Sequence, residues 1–222
     1  MRLNAPMLVV FDWDGTLIDS VGRIVASLQA AAVDCGLEVP DGAACRGVIG
    51  LSLPVALDTL FGQQSGGARE QLLDAYRHHY LHASEVAERP FIGLQPLLKA
   101  LAEQGHKLAV ATGKSRLGLD RSLHDYRLGH HFQATRCADE SHSKPHPQML
   151  HELMDTIGHG PQHTVMVGDS RHDMAMAVAA GVQAIGISHG VDDDATLRAA
   201  GANQVVADLP ALAELLGVYC PA

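Results

Sequence analysis

Two aspartates flank a single tryptophan where an apolar run ends: Met7–Phe11 leads straight into Asp12-Trp13-Asp14-Gly15-Thr16. Like charges that close raise each other's energy. A divalent cation on one carboxylate and a proton on the other would relieve the conflict. Strand alternation places Asp12 and Asp14 on the same side, with Trp13 opposite. So arranged, Asp12 can attack phosphorus as a carboxylate nucleophile. Asp14 can protonate the leaving oxygen and later take a proton from water. Two near carboxyls with separated pKa values let one site keep an acid and an anion at neutral pH.

Other reactive groups stand at the ends of other apolar runs. Thr112, Gly113, Lys114 and Ser115 close the run Lys107–Thr112, and Lys144-Pro145 precedes a helical segment. Gly168, Asp169, Ser170 and Asp173 follow the run His163–Val167. Ligands of an open parallel sheet bind outside the carboxyl ends of its strands, so these groups should meet at one edge. Clustered carboxylates, a lysine and two hydroxyls suit Mg²⁺ held by oxygens beside a phosphoryl group.

The elements that would carry these residues read as alternating strands and helices. Strand-like runs are Met7–Phe11, Lys107–Thr112, His163–Val167, Val182–Ile187 and Gln204–Ala207. Between them, Leu94–Gln104, Pro147–Ile157 and Met174–Ala180 have helical patterning and glycine stops. Runs such as Val165–Val167, apolar without alternation, suit a sheet covered on both faces. From Ile18 to Arg89 no strong strand appears, while Ser20–Cys35 and Ala68–Glu88 are helical in character. That span is too long for a loop. The expectation is an α/β fold: a three-layer Rossmann-like parallel sheet core, residues 1–18 and 90–222, with an inserted α-helical cap domain, residues 19–89.

The sequence resembles the haloacid dehalogenase superfamily of hydrolases, in its phosphoglycolate-phosphatase-like branch with a helical cap. Four motifs carry the resemblance in order: Asp12-Trp13-Asp14-Gly15-Thr16, Ala111-Thr112-Gly113-Lys114, Lys144-Pro145, and Gly168-Asp169-Ser170-Arg171-His172-Asp173. It implies Asp12 as phosphoryl acceptor and Mg²⁺ ligand, and Asp14 as general acid/base with its backbone carbonyl on the metal. It implies Thr112 bonded to a phosphoryl oxygen, Lys144 offsetting charge on Asp12 and phosphate, Asp169 on Mg²⁺, and Asp173 orienting Lys144. Gly15, Thr16, Gly113 and Lys114 would bind substrate, the glycines by letting N–H groups approach phosphate. Arg46, in the cap stretch Arg46-Gly47-Val48-Ile49-Gly50, would meet a second anion on the substrate.

Dehalogenases of this superfamily lack an acid at the Asp14 position, so its presence favours cleavage of a C–O–P bond. The expected activity is a Mg²⁺-dependent phosphomonoesterase acting on a small soluble ester such as 2-phosphoglycolate through an aspartyl-phosphate. A sugar phosphomutase of the same superfamily and a non-catalytic binding scaffold are the alternatives. The chain is expected to work in the cytoplasm as a monomer or homodimer.

Bulk properties narrow the field. The 222 residues carry a formal charge of -9, which disfavours nonspecific nucleic-acid binding. No apolar stretch approaches the ~20 residues of a membrane span, and no signal peptide is expected. Cys35, Cys45, Cys137 and Cys220 form no C-x-x-C pair and read as reduced thiols. An EF-hand is excluded because the twelfth loop position is Arg23. A Walker loop fails because Leu108 stands where its first glycine belongs. His78 and His82 have a zinc-compatible spacing but read as a solvated helix face. His142 and His146 flank Lys144 without an assigned role. Asp192-Asp193-Asp194 reads as a loop or helix N-terminus.

Overall fold

A computed structural model describes residues 5–218, so Cys220 lies outside the described residues. In chain order the elements are β1 (Leu8–Phe11), β2 (Ile18–Asp19), α1 (Val21–Asp34), α2 (Gly42–Gly47), α3 (Leu53–Phe61), α4 (Gly66–His78) and β3 (Arg89–Pro90). There follow α5 (Leu94–Glu103), β4 (Lys107–Thr112), α6 (Arg116–Asp125), β5 (Ala134–Cys137), α7 (Gln148–Ile157) and β6 (Thr164–Gly168). The chain ends with α8 (Arg171–Ala180), β7 (Gln183–Ile187), α9 (Asp194–Ala199), β8 (Gln204–Val206) and α10 (Leu209–Leu216).

Six strands form one parallel sheet in the order β5-β4-β1-β6-β7-β8. The first strand is central because each of its four side chains is apolar and fully buried, at roughly 1.5–3 kcal/mol for each. Val9 and Phe11 pack on one face with Leu97 and Leu101 of α5 and Leu212 of α10. Leu8 and Val10 pack on the other with Leu150 of α7, Met174 of α8 and Leu197 of α9. That makes three layers, with β1 delivering its last residues to the middle of one edge.

Helices α1 to α4 surround a separate core that includes Ile24, Leu28, Val48, Ile49, Leu57 and Leu72. The two chain crossings into this helical unit are tied together. The β2 and β3 strands pair antiparallel, Ile18 with Pro90 and Asp19 with Arg89, and Phe91 N–H donates to Leu17 O at 3.0 Å.

The structure adds two elements to the sequence reading, shortens a third and shows where Trp13 packs. The strand β5 and helix α6 were not legible, because Ala134–Cys137 is a short, mostly half-buried edge strand without an apolar run. The helical stretch expected to reach Glu88 ends earlier: α4 stops at His78, a π-turn spans His79–Ala83, and residues 84–88 are irregular. Trp13 is a core residue; its ring is fully buried, and its Nε1–H donates to Ser122 Oγ at 2.9 Å. Among the described residues no helix is long and apolar enough to cross a membrane.

Candidate active site

Asp12 is fixed by the sheet itself. Its N–H donates to Val167 O at 2.9 Å, extending the β1–β6 ladder one residue past the strand. The side chain is 1% exposed. Lys144, equally buried, brings Nζ to 2.7 Å from Asp12 Oδ1 and donates to Asp173 Oδ1 at 2.7 Å. The Asp173 carboxylate is held in turn at the start of α8: Oδ2 accepts from Ser170 N–H at 3.1 Å and from Ser170 Oγ–H at 2.7 Å. That reciprocal cap gives the helix start a second task, aiming a carboxylate at Lys144.

Asp169, at the tip of β6, is buried and locked from two sides. Oδ1 accepts from Thr16 Oγ–H at 2.6 Å, and Oδ2 accepts from Val191 N–H at 2.8 Å. Gly15 stands against it with φ +81, and a Cβ at that position would collide with Asp169 Oδ2. Its lack of a side chain therefore makes room for a carboxylate.

The charges of this cluster do not balance. Reactive oxygens of Asp12, Asp169 and Asp173 lie within 4.8 Å of one another, and among the described residues Lys144 is the one cation that touches the group. With every group ionised, two negative charges remain without a counter-charge, each costing several kcal/mol to keep dehydrated. Burial pushes the Asp12 carboxyl up to about 7, opposed by Lys144 and reinforced by Asp173 and Asp14. Burial likewise raises Asp169 well above the carboxylate range, with Asp12 and Asp173 adding to it. Lys144 keeps its proton: burial works against its charge, but Asp12 and Asp173 outweigh burial and raise its pKa. Both oxygens of Asp12 are buried without a hydrogen-bond donor, because the Lys144 contact is an ion contact rather than an aligned hydrogen bond. Buried polar atoms of this kind call for a partner. An all-oxygen donor set with a surplus of two negative charges fits a hard divalent cation such as Mg²⁺.

Asp14 serves the cleft side. Its Oδ1 accepts from Ser20 Oγ–H at 2.6 Å and from Lys114 Nζ–H at 2.8 Å. The same ammonium donates to Tyr80 Oη at 2.9 Å, and Tyr80 O–H donates to Glu88 Oε2 at 2.6 Å. Tyr126 O–H, from the sheet side, donates to the Glu88 carbonyl at 3.2 Å. This chain of bonds joins the helical unit to the sheet. Desolvation weakens the Lys114 charge, but Asp14 more than compensates and its pKa is raised. Thr112 closes β4 fully buried, and Oγ1 accepts from Lys114 N–H at 3.2 Å. A Cβ on Gly113 would collide with the Leu51 and Gly50 carbonyls, so this glycine lets the helical unit come down onto the sheet edge. Asp12, Asp14, Thr112, Gly113 and Lys114 line one cleft of about 730 Å³ under that unit.

The structure thus brings Asp12, Thr16, Lys144, Asp169 and Asp173 together, with Asp14, Thr112, Gly113 and Lys114 beside them. Four residues expected to bind substrate are engaged elsewhere or lie off the cleft. Gly15 donates its N–H to Ile18 O at 2.8 Å, so that group is spent in a tight turn rather than offered to phosphate. Thr16 spends its hydroxyl on Asp169, and Lys114 spends its charge on Asp14 and Tyr80. Arg46 lies exposed in the last turn of α2 and is absent from the residues lining the cleft, whereas its neighbours Val48, Ile49 and Gly50 line it. Arg46→Ala should accordingly change kcat/KM by less than about twofold, as for an isolated surface substitution; steady-state rates check this.

Sequence reading missed Tyr80, Glu88, Val191 and the bond from Ser20 to Asp14, since none belongs to a strand-end motif. The bland readings of the remaining polar residues hold more closely. His78 and His82 are exposed, and the single metal-competent cluster among the described residues is the aspartate one. Asp193 caps α9 by accepting from Thr196 N–H at 2.8 Å. Asp192, however, is buried and accepts from Arg171 N–H at 2.7 Å.

Comparisons with known proteins agree with this architecture. The family model for haloacid dehalogenase-like hydrolases matches residues 9–187. A 5'-nucleotidase of Pseudomonas aeruginosa is 31% identical over 209 residues, covering 94% of each chain. A phosphoglycolate phosphatase of Pseudomonas putida is 30% identical over 214 residues, covering 93% of this chain and 78% of its own. Among solved structures, a hydrolase from Pseudomonas syringae superposes with a TM-score of 0.86 at 24% identity, covering 95% of this chain and 98% of that one. With the family model spanning most of the sequence and the sheet edge built as described, the chain belongs to the haloacid dehalogenase-like hydrolases.

Proposed function

We propose that the chain is a Mg²⁺-dependent phosphomonoesterase that works through a phosphorylated Asp12. The observation that carries this reading is the Asp12 carboxylate: buried, at the end of the central strand, with neither oxygen accepting a hydrogen bond. Lys144 lies 2.7 Å from Oδ1 and holds the carboxylate, while Oδ2 has no partner among the described residues and is free to form a bond to phosphorus. The relatives' names support the same reaction class while differing in substrate.

Asp12 and Asp169 would hold the metal, with the Asp14 backbone carbonyl. When bound, Mg²⁺ would neutralise phosphoryl oxygens and favour the ionised carboxylates. The rest is done by side chains. One Asp12 oxygen attacks phosphorus, and the bond from phosphorus to the alkoxy oxygen breaks. Both hydrogen bonds to Asp14 fall on Oδ1, which leaves Oδ2 as the oxygen that passes a proton to the departing alcohol. Asp14 then takes a proton from water, the hydroxide attacks the aspartyl-phosphate, and phosphate leaves with Asp12 restored. Lys144 holds Asp12 in place against the charge that gathers there, and Asp173 fixes Lys144. Thr112 O–H would donate to a phosphoryl oxygen.

Removal of divalent cations with a chelator should abolish phosphate release from p-nitrophenyl phosphate, and Mg²⁺ should restore it. Full activity in excess chelator would count against the metal assignment.

Residues 19–89 act in this reading as a cap that opens on the paired linkers at β2 and β3. Substrate reaches Asp12 when the Lys114–Tyr80 bond and the Gly113 contact separate, and closure restores them. Small-angle scattering should show a smaller radius of gyration with Mg²⁺ and a phosphoryl mimic than without; identical profiles would argue for a fixed cap.

A further inference from the structure

The cleft contains much more room than a phosphoryl group needs, and the chemistry of its walls restricts what fills it. Its volume of about 730 Å³ sits well inside the range for drug-sized ligands. Away from Asp12 and Asp14 the helical unit lines it with Ile24, Leu28, Val48, Ile49, Leu53 and Tyr76. Across the cleft stands Leu117, in the first turn of α6 and 80% exposed. It is an apolar side chain left in water at the rim of an apolar chamber.

The cations lining the same cleft are largely committed. Lys114 is bound to Asp14 and Tyr80. Arg77 pairs with Asp74 at 3.1 Å and Arg121 with Asp125 at 3.6 Å. Arg23 donates Nε–H to the Tyr80 carbonyl at 2.8 Å and lies over the Tyr80 ring, 5.2 Å from its centroid. Of the four cations lining the cleft among the described residues, Arg23 alone has no carboxylate partner, so the chamber offers a second anion one cation and not a cluster. A two-carbon acid such as glycolate would leave most of the chamber to water, and its carboxylate would have Arg23 as the one cation not already paired with a carboxylate.

We propose that the substrate is a phosphate monoester of an apolar alcohol, whose carbon skeleton fills the chamber between Ile24, Ile49, Leu53 and Leu117 while the phosphoryl group sits at Asp12. This rests on the phosphomonoesterase reading and adds the leaving group to it. Burial of each further methylene should then strengthen binding in the transition state by a constant factor.

The test is kcat/KM with Mg²⁺ for straight-chain alkyl phosphates from ethyl to hexyl, beside 2-phosphoglycolate. Alkoxide basicity is nearly constant along that series, so chain length reports burial alone. The expected result is a rise of about three- to fourfold per methylene, with hexyl phosphate preferred over 2-phosphoglycolate. Leu117→Asn, at an exposed position that tolerates a polar residue, should lower the hexyl-to-ethyl ratio about threefold or more. A flat or falling series, or a preference for 2-phosphoglycolate through Arg23, overturns the apolar leaving group and leaves the phosphomonoesterase reading intact. Absence of phosphate release from every ester overturns both.

Discussion

Asp12→Asn should abolish turnover, by on the order of 10⁴-fold or more, the scale seen when a covalent nucleophile is lost. An amide nitrogen or oxygen in that position cannot form the acyl-phosphate, and the two carboxylates clustered with Asp12 are already engaged. Asp169 is bound to Thr16 and Val191, and Asp173 to Lys144 and Ser170. The variant should fold. It removes a buried charge whose pKa is already pushed up to about 7 by burial, and Lys144 keeps Asp173 as a partner. Initial rates on p-nitrophenyl phosphate, beside a thermal melt of both proteins, separate lost chemistry from lost structure. A folded variant at near-wild-type rate would remove Asp12 from the chemistry.

Asp14→Asn should cost about 10²–10⁴ in kcat on an alkyl phosphate, the usual contribution of a positioned acid. The loss should depend on the leaving group. An alkoxide needs the proton that Asp14 supplies, whereas p-nitrophenolate departs without it, so its first step should be nearly spared. Asparagine keeps an oxygen for Ser20 and Lys114, which preserves the bonds to Oδ1. Water activation by Asp14 is common to both esters, so the comparison is made in kcat/KM, which ends at the first transfer; an equal loss there would mean that Asp14 does not protonate the leaving group. Alkyl and aryl esters measured on the same two proteins decide the matter.

The site was legible at the strand ends and much less so elsewhere, for a physical reason. Asp12, Asp169 and Thr112 each follow an apolar run that must be a buried strand, and parallel strands have their ends in common. Lys144 was found by its order in the chain, and its pairing with Asp12 and Asp173, implied by the resemblance, is seen in the structure at 2.7 Å to each. Gly15 and Gly113 stood out as glycines in motifs, but what each accommodates, the Asp169 carboxylate and the Gly50–Leu51 carbonyls, comes from distant segments. Arg46 shows the reverse. The right segment was identified, yet the residues that line the cleft, Val48 to Gly50, follow the end of α2, while Arg46 in its last turn faces solvent; a six-residue helix is too short for periodicity to fix that phase. Tyr80 could not be read at all, since its role depends on where a π-turn ends α4. Among the strands, the short edge strand β5 was missed because half-exposed residues carry no apolar signature.

The most direct measurement is a crystal structure with Mg²⁺ and trifluoroberyllate, a mimic of the phosphoryl group. The expected result is beryllium bonded to an Asp12 carboxylate oxygen, with Mg²⁺ held by Asp12 and Asp169 and Lys144 still at Asp12. Beryllium on another side chain, or a metal bound away from these aspartates, would contradict the proposal that Asp12 takes up phosphate.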